Sequence, residues 1–216
     1  CGYKYIDADD DIENGTVIKW YKDGEYQEKY ESLRAIPFPE TKKGEEWYFT
    51  VNPCDGTDFG ETKTSNKITI GNTLPTASNF AIKPDNPPTT DELTCDYVYS
   101  DIDGDKEGNT EIKWYRDNTY QSSYKDKFVV SPTSTKKGQI WHFTIKPNDG
   151  TNFGEIYKSE SITIGNTPPT ASNLMINPTA PLPNDNLICN YEYSDIDDDA
   201  EDGTLMEWYK DGIPQE

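Results

Sequence analysis

The chain has 216 residues, of which 40 are acidic and 20 basic, giving a formal charge of −20, and only 32% are hydrophobic. A balance so acidic repels phosphate backbones and anionic headgroups, which excludes nucleic acid and anionic lipid surfaces as natural partners and leaves cations as the natural ligands. No apolar run approaches the roughly 20 residues that span a bilayer, so no membrane insertion is expected of this segment.

Reading from the first residue, Cys1 opens a motif with acidic residues at Asp7, Asp9, Asp11 and Glu13 and a closing Trp20-Tyr21. The pattern returns from Cys95, with Asp101, Asp103, Asp105, Glu107 and Trp114-Tyr115, and again from Cys189, with Asp195, Asp197, Asp199, Glu201 and Trp208-Tyr209. The interval, Cys1 to Cys95 and Cys95 to Cys189, is 94 residues. That exceeds a solenoid repeat and matches a whole small domain, so a tandem array is expected. Three segments follow: 1–74 as a partial repeat without its first strand, 75–168 as the complete repeat, and 169–216 as the N-terminal strands of a third. Cys1 falls in mid-strand, so the sequence reads as a window on a longer repetitive polypeptide. A lipid-modified Cys1 is the competing reading, which the repeat phase makes unnecessary.

The complete repeat begins at a Pro-containing joint, Thr73–Asn79, matched by Thr167–Asn173; such joints have little freedom. Phe80–Lys83 is the expected first strand, before the Pro-rich turn 84–88. Leu93, Cys95, Tyr97 and Tyr99 then alternate with polar positions as a second strand, and Ile112 and Trp114 alternate on a third. That strand ends at Asp117-Asn118, matched by Asp23-Gly24 and Asp211-Gly212, a hairpin signal. Short strands are expected at Tyr120–Gln121 and Phe128–Val130. The Lys137-Gly138 turn, matched by Lys43-Gly44, leads into Trp141, Phe143 and Ile145 on the sixth strand, then the tight loop 147–154 and a last strand at Ser161–Ile164. Roughly seven short strands with no helical period predict an all-β, two-sheet antiparallel sandwich.

A Cys on the second strand, Trp114 on the third and a bulky Phe143 (Phe49 in the first copy) on the sixth resemble the Cys, Trp and Cys pin of immunoglobulin domains, with Phe in place of the second Cys. The Trp-x-Phe-Thr-x-x-Pro-x-Asp-Gly stretch and the Asp-x-Asp-Gly-Asp loop are similar to immunoglobulin-like repeats strung along archaeal and bacterial cell-surface proteins. The resemblance covers the whole chain. It implies tandem immunoglobulin-like β-sandwich domains in an extracellular or cell-surface setting, with Cys95 packed as a thiol on Phe143 and Trp114.

The acidic loops carry the chemistry. Asp101, Asp103, Asp105 and Glu107 lie at alternate positions, so in an extended loop their carboxylates recur on one side and suit a hard cation with oxygen ligands, calcium foremost. Left unpaired at about 6 Å, each of six carboxylate pairs would cost roughly 0.7 kcal/mol in water and nearly 3 at an effective dielectric of 20. In the sandwich the loop shares an end with the loop holding Asp149 and Asn152 and with the joint near Asn72, so a calcium ion at each domain junction is expected. The competing reading is a solvated acidic loop. Retention of all four acidic positions in three copies, while Asp10, Gly104 and Asp198 differ, favours metal.

Other residues carry less. Cys54 has Asn148 as its counterpart and lies about 16 Å along the strand from the level of Cys1, beyond the roughly 7 Å limit for a disulfide; an exposed Cys54 could cross-link to a neighbouring molecule. Trp114 and Trp141 fall on core faces, leaving Tyr21, Tyr115, Tyr120 and Tyr124 as exposed aromatic candidates. Asn14-Gly15-Thr16 is the one acceptable glycosylation sequon. No enzyme is expected: His142 is the only His, sits on an outward strand face, and is replaced by Tyr48 in the first copy. The expected role is a non-enzymatic structural segment of a surface fibre, stalk or surface layer that self-associates. The alternative is an adhesin or carbohydrate-binding module with a glycan or cell-surface ligand. Variation between copies separates the two, and it concentrates in Glu25–Pro39 against Thr119–Thr133.

Overall fold

The computed structural model describes residues 1–215. Among the described residues, strands supply all the regular structure apart from three short 3-10 turns, and every strand pairing is antiparallel. Contacts divide the chain into two compact units, Cys1–Pro75 with the loop Asp101–Lys106, and Thr76–Ser100 with the chain from Glu107 onward.

In the first unit, β1 (Val17–Lys22), β2 (Glu25–Tyr26), β3 (Glu46–Asn52), β4 (Lys63–Thr64) and β5 (Ile68–Thr69) form one sheet. Because successive side chains point to opposite faces of a strand, Ile18 and Trp20 turn inward while Tyr21 turns out. Ile18, Trp20, Tyr30, Trp47 and Val51 make the core, with Cys1, Tyr3 and Phe49 packed on it.

The second unit holds the complete repeat. β6 (Thr76–Lys83), β7 (Leu93–Ser100) and β10 (Val129–Val130) form a three-stranded sheet. β8 (Glu111–Arg116), β9 (Thr119–Tyr120), β11 (Ile140–Lys146), β12 (Tyr157–Lys158) and β13 (Ile162–Thr163) form a five-stranded one. Both sheets face one core, in which Leu93, Cys95 and Val130 from the first meet Trp114, Trp141, Phe143 and Ile145 from the second. Trp114 is fully enclosed; its indole donates to the carbonyl of Lys127 at 2.9 Å, which ties β8 to the segment entering β10. Cys95 lies in this core as a free thiol, and burial pushes its pKa up to about 12. Cys54 is also free, but buried rather than exposed, its sulfur accepting the Gly56 amide. It is therefore closed to cross-linking.

Two departures from the sequence reading have local causes. β6 starts at Thr76, not Phe80: Thr76–Ser78 already pair with β7, and the register shifts between Ser78 and Ala81 at a bulge where Asn79 takes φ +56. Asn tolerates that left-handed conformation, so the bulge hides the strand from a period-2 pattern. β12 was unforeseen because it is two residues long and only Tyr157 is partly buried. Further on, β14 (Thr170–Asn177), β15 (Ile188–Ser194), β16 (Trp208–Lys210) and β17 (Ile213–Gln215) recur one repeat after β6 to β9. Ile176 and Trp208, the counterparts of buried Ile82 and Trp114, are 50% and 37% exposed.

On the outer face of the five-stranded sheet, Tyr115 stands between its cross-strand neighbours Tyr120 and His142. The His142 ring stacks on Tyr115 with centroids 4.9 Å apart and planes at 3°. His142 is therefore on the outward face yet only 5% exposed. Burial, then the nearby Lys158 ammonium, lowers its pKa below the ordinary 6.5. The folded state thus prefers the neutral ring, and its stability is full above pH 6.5 and falls as pH drops from there through the folded value. His142→Tyr, which restores the Tyr21–Tyr48 stack of the first copy, should fold normally and lose that decline. Denaturant titrations at pH 7.5 and pH 5 check it, with a larger acid loss for the parent chain as the expected outcome.

Candidate cation-binding junction

Each acidic loop is wound by its first aspartate. Asp195 Oδ1 accepts the backbone amides of Asp197 at 2.8 Å and Asp199 at 3.2 Å. Asp101 does the same for Asp103 and Asp105, and Asp7 for Asp9 and Asp11. The loop is consequently curled into a turn, not the extended loop that the alternate spacing suggests. Its fourth residue sits at positive φ in every copy: Asp10 at +62°, Gly104 at +79° and Asp198 at +63°. Gly, Asn and Asp tolerate that region best, which is why this position varies between only Gly and Asp.

Winding brings three carboxylates together. Oxygens of Asp195, Asp197 and Asp199 all lie within 4.8 Å of one another. Asp195 Oδ2 is shielded from solvent and has no hydrogen-bond partner, and the same holds for Asp101 Oδ2. A buried anionic oxygen left unpaired is costly, so this set fits a hard cation.

The cluster is also gripped by the repeat before it. Asp197 accepts the hydroxyl of buried Thr89 and, at 2.6 Å, the backbone amide of Thr167 in the joint. The Thr89 bond, more than that of Thr167, holds the Asp197 carboxyl below its usual range. Lys137, from the Lys-Gly turn, places its ammonium 2.7 and 2.9 Å from the two oxygens of Asp199, and that contact raises the lysine pKa. The first unit contains the same pair of bonds, Thr73 amide to Asp103 at 2.6 Å and Lys43 to Asp105 at 2.6 Å. Lys-Gly recurs at Lys43 and Lys137 as a turn signal, and the structure adds the lysines' contacts with aspartates 62 residues away.

The fourth acidic residue stands apart from the cluster. Glu201 accepts the hydroxyls of Tyr191 and Thr204, Glu107 those of Tyr97 at 2.8 Å and Thr110 at 2.5 Å, and Glu13 that of Tyr3. These bonds lower the carboxyl pKa of Glu201 and of Glu13. In each copy the glutamate clasps a strand tyrosine, a contact that spacing alone does not separate from metal ligation. Asp149 closes the turn after β11, where its Oδ1 accepts the amides of Thr151 and Asn152 at 2.6 Å. Gly108 packs beneath that turn: a Cβ there would lie 2.6 Å from Asn148 Oδ1 and from the Gly150 nitrogen. The first copy carries Asn14 and Cys54 at these two places, so the sequon and the extra cysteine belong to one altered contact.

No known protein family matches the sequence, and no curated protein is similar to it.

Thr89→Val removes the hydroxyl that Asp197 accepts while keeping the shape. Hydrogen bonds to charged groups contribute about 1.5–3 kcal/mol, and a loss in that range is expected in denaturant titrations. The depressed Asp197 pKa makes its contribution full above about 3.8 and lost as pH falls through the lower folded value. The variant should therefore also lose stability less steeply between pH 5 and pH 2.

Proposed function

We propose that the chain is a non-enzymatic segment of an extracellular structural array of tandem immunoglobulin-like domains, a fibre, stalk or surface layer, in which each acidic loop fastens one repeat to the next. The observation that carries this reading is the double grip on the third loop, Thr89 and Thr167 on Asp197 and Lys137 on Asp199. A solvating loop needs no partners in the preceding repeat. The Thr167 and Lys137 bonds use residues that recur at the 94-residue interval, as Thr73 and Lys43, so each added repeat would bring that part of the fastening, whereas Thr89 has Pro183 as its counterpart.

Calcium is the cation proposed for Asp195, Asp197 and Asp199. Bound there, it would supply the positive charge that three clustered carboxylates lack and use the orphaned Asp195 oxygen. Lys137 alone is a weak substitute, since it is 44% exposed and exposed ion pairs contribute about 0–1 kcal/mol. Self-association of such arrays follows from the same chemistry, because divalent ions bridge acidic faces between molecules carrying a charge of −20.

A ligand at 100 times its dissociation constant adds about 2.7 kcal/mol, which for a chain of this size is a melting shift of about 5–10 °C. Thermal unfolding in millimolar calcium against excess chelator should show that rise. It should vanish in Asp195→Asn combined with Asp101→Asn, and equal melting of the parent chain in both buffers would remove calcium from the account.

A further inference from the structure

Beside the Tyr97–Glu107 clasp lies a cleft of about 500 Å³, well within the range of small-ligand sites. Phe128 and Phe153 line it and are 53% and 45% exposed, on a protein whose mean hydropathy is −0.91. Phe128 stacks on Tyr97, centroids 6.1 Å apart and planes at 11°. The Tyr97 and Thr110 hydroxyls both bond to one oxygen of Glu107. One wall is thus an aromatic stack ending in a carboxylate held in a fixed orientation.

The remaining groups select the ligand chemistry. Glu111 is paired with Lys113 at 2.6 Å, Asp126 accepts the Ile112 amide at 3.1 Å and lies 3.7 Å from Lys125, and the Lys146 ammonium sits 5.1 Å from the centre of the Phe153 ring. Beside Glu111 and Asp126 and over the Phe153 ring, the places a cationic ligand would take are filled by the protein's own lysines, while Glu107 is turned to the Tyr97 and Thr110 hydroxyls. A carboxylate offers about four acceptor sites, so Glu107 and Asp126 keep acceptor capacity next to exposed phenyl rings. Acceptors beside aromatic surface match a molecule with hydroxyl donors around its edge and an apolar C–H face, the two aspects of a pyranose.

Comparison of the copies points the same way. Lys125, Asp126 and Phe128 fall in the stretch that differs most between repeats, where the first copy has Glu31, Ser32 and Arg34. There the Arg34 guanidinium lies 5.6 Å over the Tyr3 ring, while the tyrosine–glutamate clasp is kept. The scaffold is constant and the lining changes, as in a site specialised in one repeat, whereas in a plain spacer change would scatter over the surface.

We propose that this cleft is a saccharide-binding site. It takes a neutral hexopyranose unit, the C–H face against Phe128 and Phe153 and the hydroxyls donating to Glu107 and Asp126. The test is saturation-transfer NMR on the whole chain with neutral trisaccharides of glucose, mannose, galactose and N-acetylglucosamine, repeated on Phe128→Arg and Phe153→Ala. Phe128→Arg recreates the first copy's pairing, and an unchanged melting temperature confirms its fold. Transfer to ring C–H protons of at least one trisaccharide, weakened at least tenfold in both variants, is the expected result. Absence of transfer to all four, transfer that survives both substitutions, or binding confined to an arginine-rich peptide used as control would overturn the proposal.

Discussion

A carboxylate oxygen bonded to two main-chain amides governs the rest of this structure. Asp195 Oδ1 curls its loop by accepting the amides of Asp197 and Asp199, and only a curled loop presents Asp197 to Thr89 and Thr167 and Asp199 to Lys137. The same turn packs three negative charges within 4.8 Å, a repulsion that the hydrogen bonds to Asp197 and the Lys137 ammonium relieve. Local loop chemistry and the fastening of one repeat to the next are therefore one device. Its recurrence at Asp101 makes it a property of the repeat.

That device depends on a rigid platform. The core of the complete repeat joins both sheets through Trp114, Trp141 and Phe143, with tilted and edge-on ring contacts at 5.5 and 6.4 Å, arrangements that aromatic quadrupoles favour. Trp114 also reaches across to the Lys127 carbonyl, and the Tyr97–Glu107 clasp holds the other end of the acidic loop. Each loop end is thus anchored to a strand whose inward side chains are fixed by packing.

Much of this was legible in the sequence, and the exceptions have physical reasons. The alternation of Trp141, Phe143 and Ile145 marked the main strand because one face is fully buried, and the repeat interval marked the recurring unit. The acidic positions read as a group of four because a regular spacing cannot tell a ligand from a clasp, and the bond from the Tyr97 hydroxyl to Glu107 shows only in the fold. Lys137 and Thr89 were missed because their role lies in contacts with a loop 62 and 108 residues away, invisible to any local pattern. Cys54 looked exposed since nothing in its neighbourhood alternates, yet the turn between β3 and β4 folds over it. The bulge at Asn79 hid the first half of β6.

The most direct test of the loop's grip on the joint is native-state hydrogen exchange at the Thr167 amide, which points at Asp197 Oδ2 at 2.6 Å. Slow exchange in the parent chain, accelerated in Asp197→Ala while the amides of β11 stay protected, is the predicted result. Exchange at the rate of an unstructured amide in the parent chain would contradict the account, leaving the acidic loops as solvating surface.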